Sequence, residues 1–283
     1  MNPQNHSLRH LIRLYKNDLI DKYYQFRING TKNPYRVLLK KDSYKVIFIM
    51  SHMRSGSSLL THILTSNSLI KGYGESHIQY SSEADLKRLM FKIYCHSQEF
   101  KNIQDLSKLR MNHDYVIDKL LHDNKLINEN ILKLENFYVI FLIREPKRSL
   151  ISMLDHKPHW NEKDAIQYYN NRLSTLVKYA QIINNKQRSI IITYDALMNQ
   201  TNLVFNALQK FLKLPKGFSE KYQVSNTTGM RHVGDFKEKI RSGKIIRTPR
   251  EIDISISAHL LEQETEKFNQ IHQKMSQLCQ TIS

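Results

Sequence analysis

Cysteine, tryptophan and long apolar runs are all scarce in this sequence of 283 residues. It contains two cysteines, Cys95 and Cys279, and a single tryptophan. Because the two cysteines lie far apart, the sequence offers neither the paired cysteines of a metal site nor a disulfide framework. No run of 18 apolar residues occurs, so no membrane span is expected. Residues 1–13 lack the continuous apolar core of a signal peptide. We therefore expect a soluble, cytoplasmic protein.

Acidic residues are scarce as well. Lys and Arg total 43 against 26 Asp and Glu, which gives a formal net charge of +17. A surface of this sign attracts anions, and nucleic acid, acidic lipid, acidic polysaccharide and a phosphorylated nucleotide all meet that requirement. The basic residues are spread along the whole chain, so a general compositional bias explains the excess about equally well. Charge alone does not choose among these interpretations.

The remaining composition is ordinary for a globular protein. Hydrophobic residues make up 40% of the chain and charged residues 24%, which argues against a disordered chain. A chain of this length buries roughly three quarters of its unfolded surface, and one domain is enough to do so. We expect a single domain over residues 1–283, in which residues 1–40 form an N-terminal helical extension and residues 251–283 a C-terminal helix.

Short apolar runs rich in β-branched residues alternate with segments of helical periodicity. Strands are predicted at residues 45–50, 70–74, 115–121, 139–143 and 189–193. Helices are predicted at residues 6–28, 59–64, 82–98, from 146 onward, at 161–183, 201–214 and 255–280. The last helix is expected to bury Ile256, Leu260, Phe268, Ile271, Met275 and Leu278. Residues 216–250 are polar and are predicted to form an extended surface region. The alternation predicts an α/β fold with a central, mainly parallel sheet flanked by helices.

The loop after the first predicted strand is rich in small polar residues and contains Arg54-Ser55-Gly56-Ser57-Ser58. Ligands of open parallel sheets bind at the carboxyl ends of strands, and the N–H groups at a helix start suit phosphate or sulfate. Gly56 lets the backbone approach an anion closely, and the Arg54 guanidinium adds a permanent positive charge with N–H donors in a rigid plane. The G-x-x-x-x-G-K-[ST] pattern of a magnesium-dependent triphosphatase is absent. On its own, such a turn is more often simply the cap of a helix.

A second basic turn follows the strand at 139–143 and reads Arg144-Glu145-Pro146, with Ser149 and Ser152 downstream. Arginine grips phosphate in a bidentate manner, and serine adds a neutral donor. The alternative is an ordinary helix start. Basic residues in a first helical turn are unfavourable beside the positive helix end, unless an anion binds there.

Together the two turns resemble the nucleotide-binding motifs of sulfotransferases that use 3′-phosphoadenosine 5′-phosphosulfate (PAPS), in particular the Golgi-type and bacterial members. The resemblance covers roughly residues 45–240. It includes the strand ending in Tyr194-Asp195, the Phe211–Pro215 helix end and a weaker echo of a late loop around Arg231. It implies a P-loop nucleotide-hydrolase-like sulfotransferase fold, with PAPS as donor, adenosine 3′,5′-bisphosphate as product and no metal requirement.

By this resemblance, Arg54 contacts the oxygen that links the sulfonate to the nucleotide and helps the leaving group depart. Arg144 and Ser152 bind the 3′-phosphate, whereas Ser149 does not match the family spacing. Tyr194 lies beside the adenine, and Arg231 is a further ligand of the 3′-phosphate. The implied donor-binding residues are Arg54, Ser55, Gly56, Ser57, Ser58, Arg144, Ser152, Tyr194 and Arg231.

Sulfonate transfer needs a base that takes the proton of the acceptor hydroxyl, and two residues compete for this role. Glu75 lies in a Gly-Glu segment similar to one in which Golgi-type and bacterial relatives place a catalytic glutamate. His122 ends the third predicted strand, where cytosolic members carry a basic histidine, but its spacing from Lys119 differs by one residue. Glu75 is favoured, and Lys119 is expected to contact a sulfonate oxygen or simply to pair with Asp118.

Two other functions remain open at this point. One is a nucleotide-dependent phosphotransferase on a related fold, and the other is a non-enzymatic binder of acidic polymer or membrane driven by the positive charge. The favoured function is transfer to a hydroxyl of a carbohydrate, lipid, peptide or small molecule, and an acidic or membrane-associated acceptor is compatible with the charge. No nucleic-acid partner is expected. The sequence indicates neither the acceptor nor the oligomeric state.

Overall fold

Five short parallel strands form the centre of the chain in the computed structural model, which describes residues 3–96, 100, 103–224, 239–248 and 252–282. The strands are β1 (Lys45–Ser51), β2 (Ile70–Gly72), β3 (Tyr115–Leu120), β4 (Phe137–Ile143) and β5 (Ser189–Thr193). Their order in the sheet is β2-β3-β1-β4-β5, and every neighbouring pair is parallel. The predicted α/β fold with a parallel sheet is confirmed.

The helices lie between and beyond the strands. They are α1 (Pro3–Asn29), α2 (Ser57–Thr65), α3 (Asp85–Phe91), α4 (Pro146–His156), α5 (Glu162–Ile183), α6 (Tyr194–Asn199), α7 (Thr201–Phe211) and α8 (Ala258–Leu278). A π-helical turn spans Lys92–His96, and 3₁₀ turns span Ile103–Arg110, Asp123–Lys125, Glu129–Lys133 and Ile240–Ser242.

Capping residues explain where several helices begin. Asn161 and Asp164 form a reciprocal capping box at the start of α5, at the position predicted from the sequence. The short helix α6 was not predicted, and it begins because the Thr193 side chain accepts from the backbone N–H of Ala196. Helix α3 is shorter than predicted since the chain continues from Phe91 into the π-helical turn.

Apolar helix faces cover both sides of the sheet, which is why strand residues of both orientations are buried. One layer contains buried side chains of α1, α3, α4, α5 and α8. The other layer contains those of α2, α6 and α7. The sheet thus lies between two apolar layers, and its loops are the places where polar groups can reach a ligand.

The end of α1 and the segment after α8 both bond to neighbouring parts of the fold. Arg27 near the end of α1 is 2% exposed and donates to the carbonyls of Leu38, Leu109 and Arg110 at 2.8, 2.7 and 3.1 Å. After α8, Gln280 exchanges two backbone hydrogen bonds of 2.9 Å with Ser189 and Ile191 of β5. Arg27 thus joins α1 to the loop at Leu38 and to the 3₁₀ turn at Ile103–Arg110, and Gln280 joins the C-terminal segment to β5.

Two predictions about the C-terminal third need correction. In α8, Phe268 and Met275 are buried but the rest of the predicted stripe is only partly covered, and Glu264 is buried among them. Within residues 216–250, the described segments pair with each other through backbone bonds between Tyr222 and Gly243, and between Ile245 and Glu220. They bury Tyr222 and Ile245 in the second apolar layer, so this part is not a purely polar surface.

Among the described residues, no helix is both long enough and apolar enough to cross a membrane.

Candidate active site

A cleft of about 490 Å³ opens at the carboxyl ends of the strands. It lies around the end of β1, where the chain has moved from one side of the sheet to the other, because β3 and β4 flank β1 on opposite sides. Open parallel sheets bind ligands at such a switch point. Residues from the loops after β1, β2, β3 and β4 line the cleft together.

The loop after β1 presents a helix start to the cleft. Gly56 has a φ of 94°, which favours glycine, and an added Cβ there would lie 2.4 Å from the Tyr194 ring. Helix α2 begins at the next residue, and no side chain caps it. The N–H groups of the first helical turn lack intrahelical partners, so those near Ser57 and Ser58 are available to an anion.

Arg54 connects this loop to the loop after β4. It has a φ of 64°, an uncommon conformation for a residue other than glycine. Its Nε donates to the Ser152 hydroxyl at 2.8 Å, and its carbonyl accepts from Arg144 Nη1 at 3.0 Å. The two loops predicted to bind one nucleotide therefore contact each other directly.

Arg144 and Tyr194 form one wall of the cleft. The Arg144 guanidinium carbon lies 4.2 Å from the centre of the Tyr194 ring. Burial lowers the pKa of Arg144, but an arginine remains charged in proteins. Its Nε is buried without a hydrogen-bond partner among the described residues, and the same holds for the hydroxyl of Ser55. Unpaired buried donors of this kind are costly unless a ligand satisfies them.

The two serines after Arg144 lie in different surroundings. The Ser149 hydroxyl is fully buried and donates to the carbonyls of Glu145 and Arg144 at 2.7 and 3.2 Å. It is thus occupied within the first turns of α4. The Ser152 hydroxyl instead contacts Arg54 at the junction of the two loops.

His52 is a buried residue of the site that the sequence did not indicate. Its Nε2 accepts from the backbone N–H of Arg144 at 3.1 Å, and its Nδ1 lies 2.8 Å from the Met53 carbonyl. Burial is the main cause that lowers the pKa of His52 to about 4, so the ring is neutral at physiological pH. Tyr169 packs against the ring and donates to the Arg144 carbonyl at 2.6 Å. Only its position in the loop after β1 could have suggested it.

Glu75, Lys119 and Ser58 meet on the other side of the cleft. Lys119 Nζ lies 3.4 Å from a Glu75 carboxylate oxygen and 3.2 Å from the Ser58 hydroxyl. Glu75 is 7% exposed and Lys119 is 2% exposed. Burial lowers the pKa of Lys119, and the charge of Glu75 opposes that shift. The Lys119 ammonium pairs with Glu75, whereas the carboxylate of its neighbour Asp118 accepts from Ser76, Tyr80 and the Lys119 backbone N–H.

His122 also lines the cleft, two residues beyond the end of β3. Its ring lies 6.1 Å from that of Tyr168, and burial lowers the pKa of His122. His77 is nearer to Glu75, with its Nδ1 3.6 Å from a carboxylate oxygen. The sequence did not single out His77.

An aromatic wall formed by Trp160, Tyr168 and His122 borders the far end of the cleft. The rings of Trp160 and Tyr168 lie 5.7 Å apart. The Tyr168 hydroxyl donates to the Leu121 carbonyl and accepts from the Met53 N–H, both at 3.0 Å. These bonds anchor the wall to the ends of β3 and β1.

Positive charge dominates the described lining of the cleft. The basic lining residues are Arg54, Lys119, Arg144, Lys157, Lys239 and Lys244. Glu75 is the only carboxylate among the described lining residues. Arg231 lies outside the described residues, so its predicted role has no structural counterpart here. The described cleft is therefore suited to a multiply charged anion.

Comparison with known proteins identifies the family of this sequence. The sequence matches the model described as "Sulfotransferase family" over residues 46–220. No protein of curated function matches the sequence significantly.

Three similar solved structures are sulfotransferases. The sulfotransferase domain from the curacin biosynthetic pathway is 16% identical, with a TM-score of 0.51 over 80% of this chain and 98% of that one. A sulfotransferase from Alicyclobacillus acidocaldarius is 10% identical, with a TM-score of 0.43 over 84% and 96% of the two chains. Mouse sulfotransferase SULT7A1 complexed with PAP is 13% identical, with a TM-score of 0.35 over 69% and 66%. At these identities, the first structure shows a shared fold.

Proposed function

Because the chain belongs to the sulfotransferase family, and is therefore an enzyme that transfers a sulfonate group, we propose that its donor is PAPS and its acceptor a hydroxyl group. Family membership decides against the phosphotransferase and the non-enzymatic binder. The observation that carries the proposal is the meeting of Ser58, Lys119 and Glu75, which puts a carboxylate next to an anion-binding helix start.

The residues of the cleft fit the donor. PAPS supplies an activated sulfonate on an anionic, doubly phosphorylated leaving group. The unpaired N–H groups of α2 and the buried, unpartnered hydroxyl of Ser55 suit its 5′ end. Arg144 offers an unpartnered Nε for the 3′-phosphate, with Ser152 next to it through Arg54. Tyr194 lines the same cleft, and we assign it a place beside the adenine.

Arg54 and Lys119 are the two cations that we assign to the reacting end. Arg54 would stabilise the negative charge that develops on the leaving phosphate. Lys119 would bind a sulfonate oxygen, since a new anion beside Ser58 competes with Glu75 for its ammonium group. This exchange would free the Glu75 carboxylate for proton transfer.

Glu75 is our candidate for the general base. A base must be within hydrogen-bond reach of the proton that it takes, and Glu75 is separated from the helix start of α2 by one ammonium group. His122 is the alternative, and it lines the same cleft farther along β3. The acceptor would approach along the aromatic wall, which leads to both candidates.

The remaining assignments concern context. We propose one domain over residues 1–283, because α1 and the segment after α8 both bond to the core. We place the protein in a reducing compartment such as the cytoplasm, which suits the free thiols of Cys95 and Cys279.

Calorimetry with adenosine 3′,5′-bisphosphate tests the donor. We expect tight binding, and no binding at high micromolar ligand would contradict the assignment. Labelled PAPS offered with lipid, sugar, peptide and small phenolic acceptors then tests the acceptor. Transfer to none of these hydroxyl compounds, despite nucleotide binding, would contradict a hydroxyl acceptor of these classes.

A further inference from the structure

A buried carboxylate lies directly behind the candidate base. Asp118 on β3 is 1% exposed and has no place in the sulfonate-transfer scheme described above. It precedes Lys119 on the strand, so the alternation of side chains puts the two on opposite faces of the sheet. Asp118 faces the layer that contains Tyr80, and Lys119 faces Ser58.

Asp118 accepts four hydrogen bonds. The donors are the backbone N–H of Ser76 at 2.9 Å, the Ser76 hydroxyl, the Tyr80 hydroxyl at 2.7 Å and the backbone N–H of Lys119 at 2.8 Å. Three of the four come from the loop after β2, which carries Glu75. Ser76 and Tyr80 are both fully buried, so the loop is fixed to β3 out of contact with water.

Two adjacent strand residues thus hold two adjacent loop residues from opposite sides. Asp118 binds Ser76 on one face, and Lys119 pairs with Glu75 on the other. The peptide that follows Ser76 is held as well, because Lys92 donates to the Ser76 carbonyl. The peptide between Glu75 and Ser76 consequently has little freedom to rotate. Small displacements of a catalytic group cost much of its rate advantage.

We propose that Asp118, with Tyr80, is a positioning residue that holds the Glu75 carboxylate at the reacting end of the cleft. The inference rests on the proposed function, in which Glu75 is the base. It predicts that weakening the Asp118 network lowers kcat and leaves nucleotide affinity unchanged. It also predicts that the loss depends on the presence of a carboxylate at residue 75.

Tyr80→Phe is the mildest test, since it removes one hydroxyl from the network and keeps the ring. We expect kcat to fall about tenfold, with the affinity for adenosine 3′,5′-bisphosphate within twofold of wild type. Tyr94→Phe is the matched control. Tyr94 is equally buried and its hydroxyl bonds to Tyr44 and His113, away from the cleft. It should lose similar thermal stability with no fall in kcat.

A double-mutant cycle separates positioning from general loosening. In the Glu75→Gln background, Tyr80→Phe should change the residual single-turnover rate by less than twofold. A further tenfold fall there would overturn the inference, and so would equal losses of kcat for Tyr80→Phe and Tyr94→Phe. Asp118→Asn should show the same non-additivity with a larger single effect.

The same measurements distinguish this inference from the proposed function. Failure of the wild-type protein to bind adenosine 3′,5′-bisphosphate would contradict the donor assignment. Unchanged kcat in Glu75→Gln would contradict the base, and with it the role of Asp118. Nucleotide binding and a slow Glu75→Gln, combined with additive effects of Tyr80→Phe, would contradict the positioning role alone.

Discussion

The cleft has two halves, one proposed to bind the donor and one proposed to hold the base, and they are built differently. The donor half consists of the loops after β1 and β4, residues 51–58 and 144–152. The base half consists of residues 73–80 after β2 and residues 118–122 at the end of β3. In the donor half, backbone N–H groups and arginines follow buried strands directly. In the base half, the polar groups are placed by contacts between distant segments, such as Ser76 with Asp118.

This difference explains why the donor half is easier than the base half to predict from the sequence. A strand, a turn with Gly56 and a helix are all local features, so this element, which suits an anion, could be predicted from residue types in order. The base half has no such continuous pattern. Glu75 was singled out only through a family resemblance, and its pairing with Lys119 depends on where β2 and β3 lie in the sheet.

The largest effect should come from the base half. Glu75→Gln keeps the shape of the side chain but cannot accept a proton, so we expect turnover to slow by about 10²–10⁴-fold. Adenosine 3′,5′-bisphosphate affinity should stay within a few fold. Steady-state kinetics with an identified acceptor, paired with calorimetry, measures both quantities.

His122→Asn is the matched variant for this test. We expect a smaller loss, mainly in acceptor KM, because His122 belongs to the aromatic wall along which we propose that the acceptor approaches. The opposite ranking, with Glu75→Gln nearly wild type and His122→Asn inactive, would move the base to the end of β3. Hydrolysis of PAPS without an acceptor is not a substitute assay, because water can use a different base.

Substitutions in the donor half should lower the affinity for the nucleotide. Arg144→Ala removes a half-buried guanidinium whose buried Nε has no protein partner among the described residues. We expect nucleotide binding to weaken by about 1.5–3 kcal/mol, roughly 10- to 150-fold in Kd. Titration calorimetry with adenosine 3′,5′-bisphosphate gives the value. A loss below twofold would show that this arginine does not bind a phosphate.

Substituting each of the two serines of α4 tests which of them the motif places at the nucleotide. Ser152→Ala removes the hydroxyl that contacts Arg54, and we expect nucleotide affinity to fall about 2- to 10-fold. Ser149→Ala is the control, since its hydroxyl bonds to the carbonyls of Arg144 and Glu145 just before α4, and its Kd should change by less than twofold. Equal losses in calorimetry would show that the register of the motif is wrong.

Sequence reasoning succeeded where structure is local and missed what depends on packing. It predicted all five strands and the start of α5 near Asn161. It missed His52, whose partner Arg144 is 92 residues away, and it missed the burial of Glu264 within α8. A polar residue on an apolar stripe reveals its partner only once the neighbouring element is known.

The last expected effect is on folding stability and concerns His52, which joins the two loops of the donor half. Protonation of the His52 ring is unfavourable in the folded protein, because the ring is buried and the cations of Arg144 and Arg172 lie near it. Its folded pKa of about 4 is below the unfolded value of 6.5, so the unfolded chain binds the extra proton between these pH values. Folding stability from this group is therefore fully present above about pH 6.5 and declines as the pH falls toward 4.

His52→Gln removes this dependence while keeping a polar group at the junction. The variant should be less stable than wild type at pH 7.5, and the gap should narrow by about 1–2 kcal/mol at pH 5.0. Denaturant unfolding at the two pH values measures the change, and comparing the gaps cancels the carboxylates common to both proteins. His259→Gln, at an exposed position of α8, is the control and should show no such narrowing. A gap that stays constant with pH would mean that His52 does not stay neutral in the fold. The donor half would then be joined by an imidazolium, which cannot accept the Arg144 N–H at Nε2.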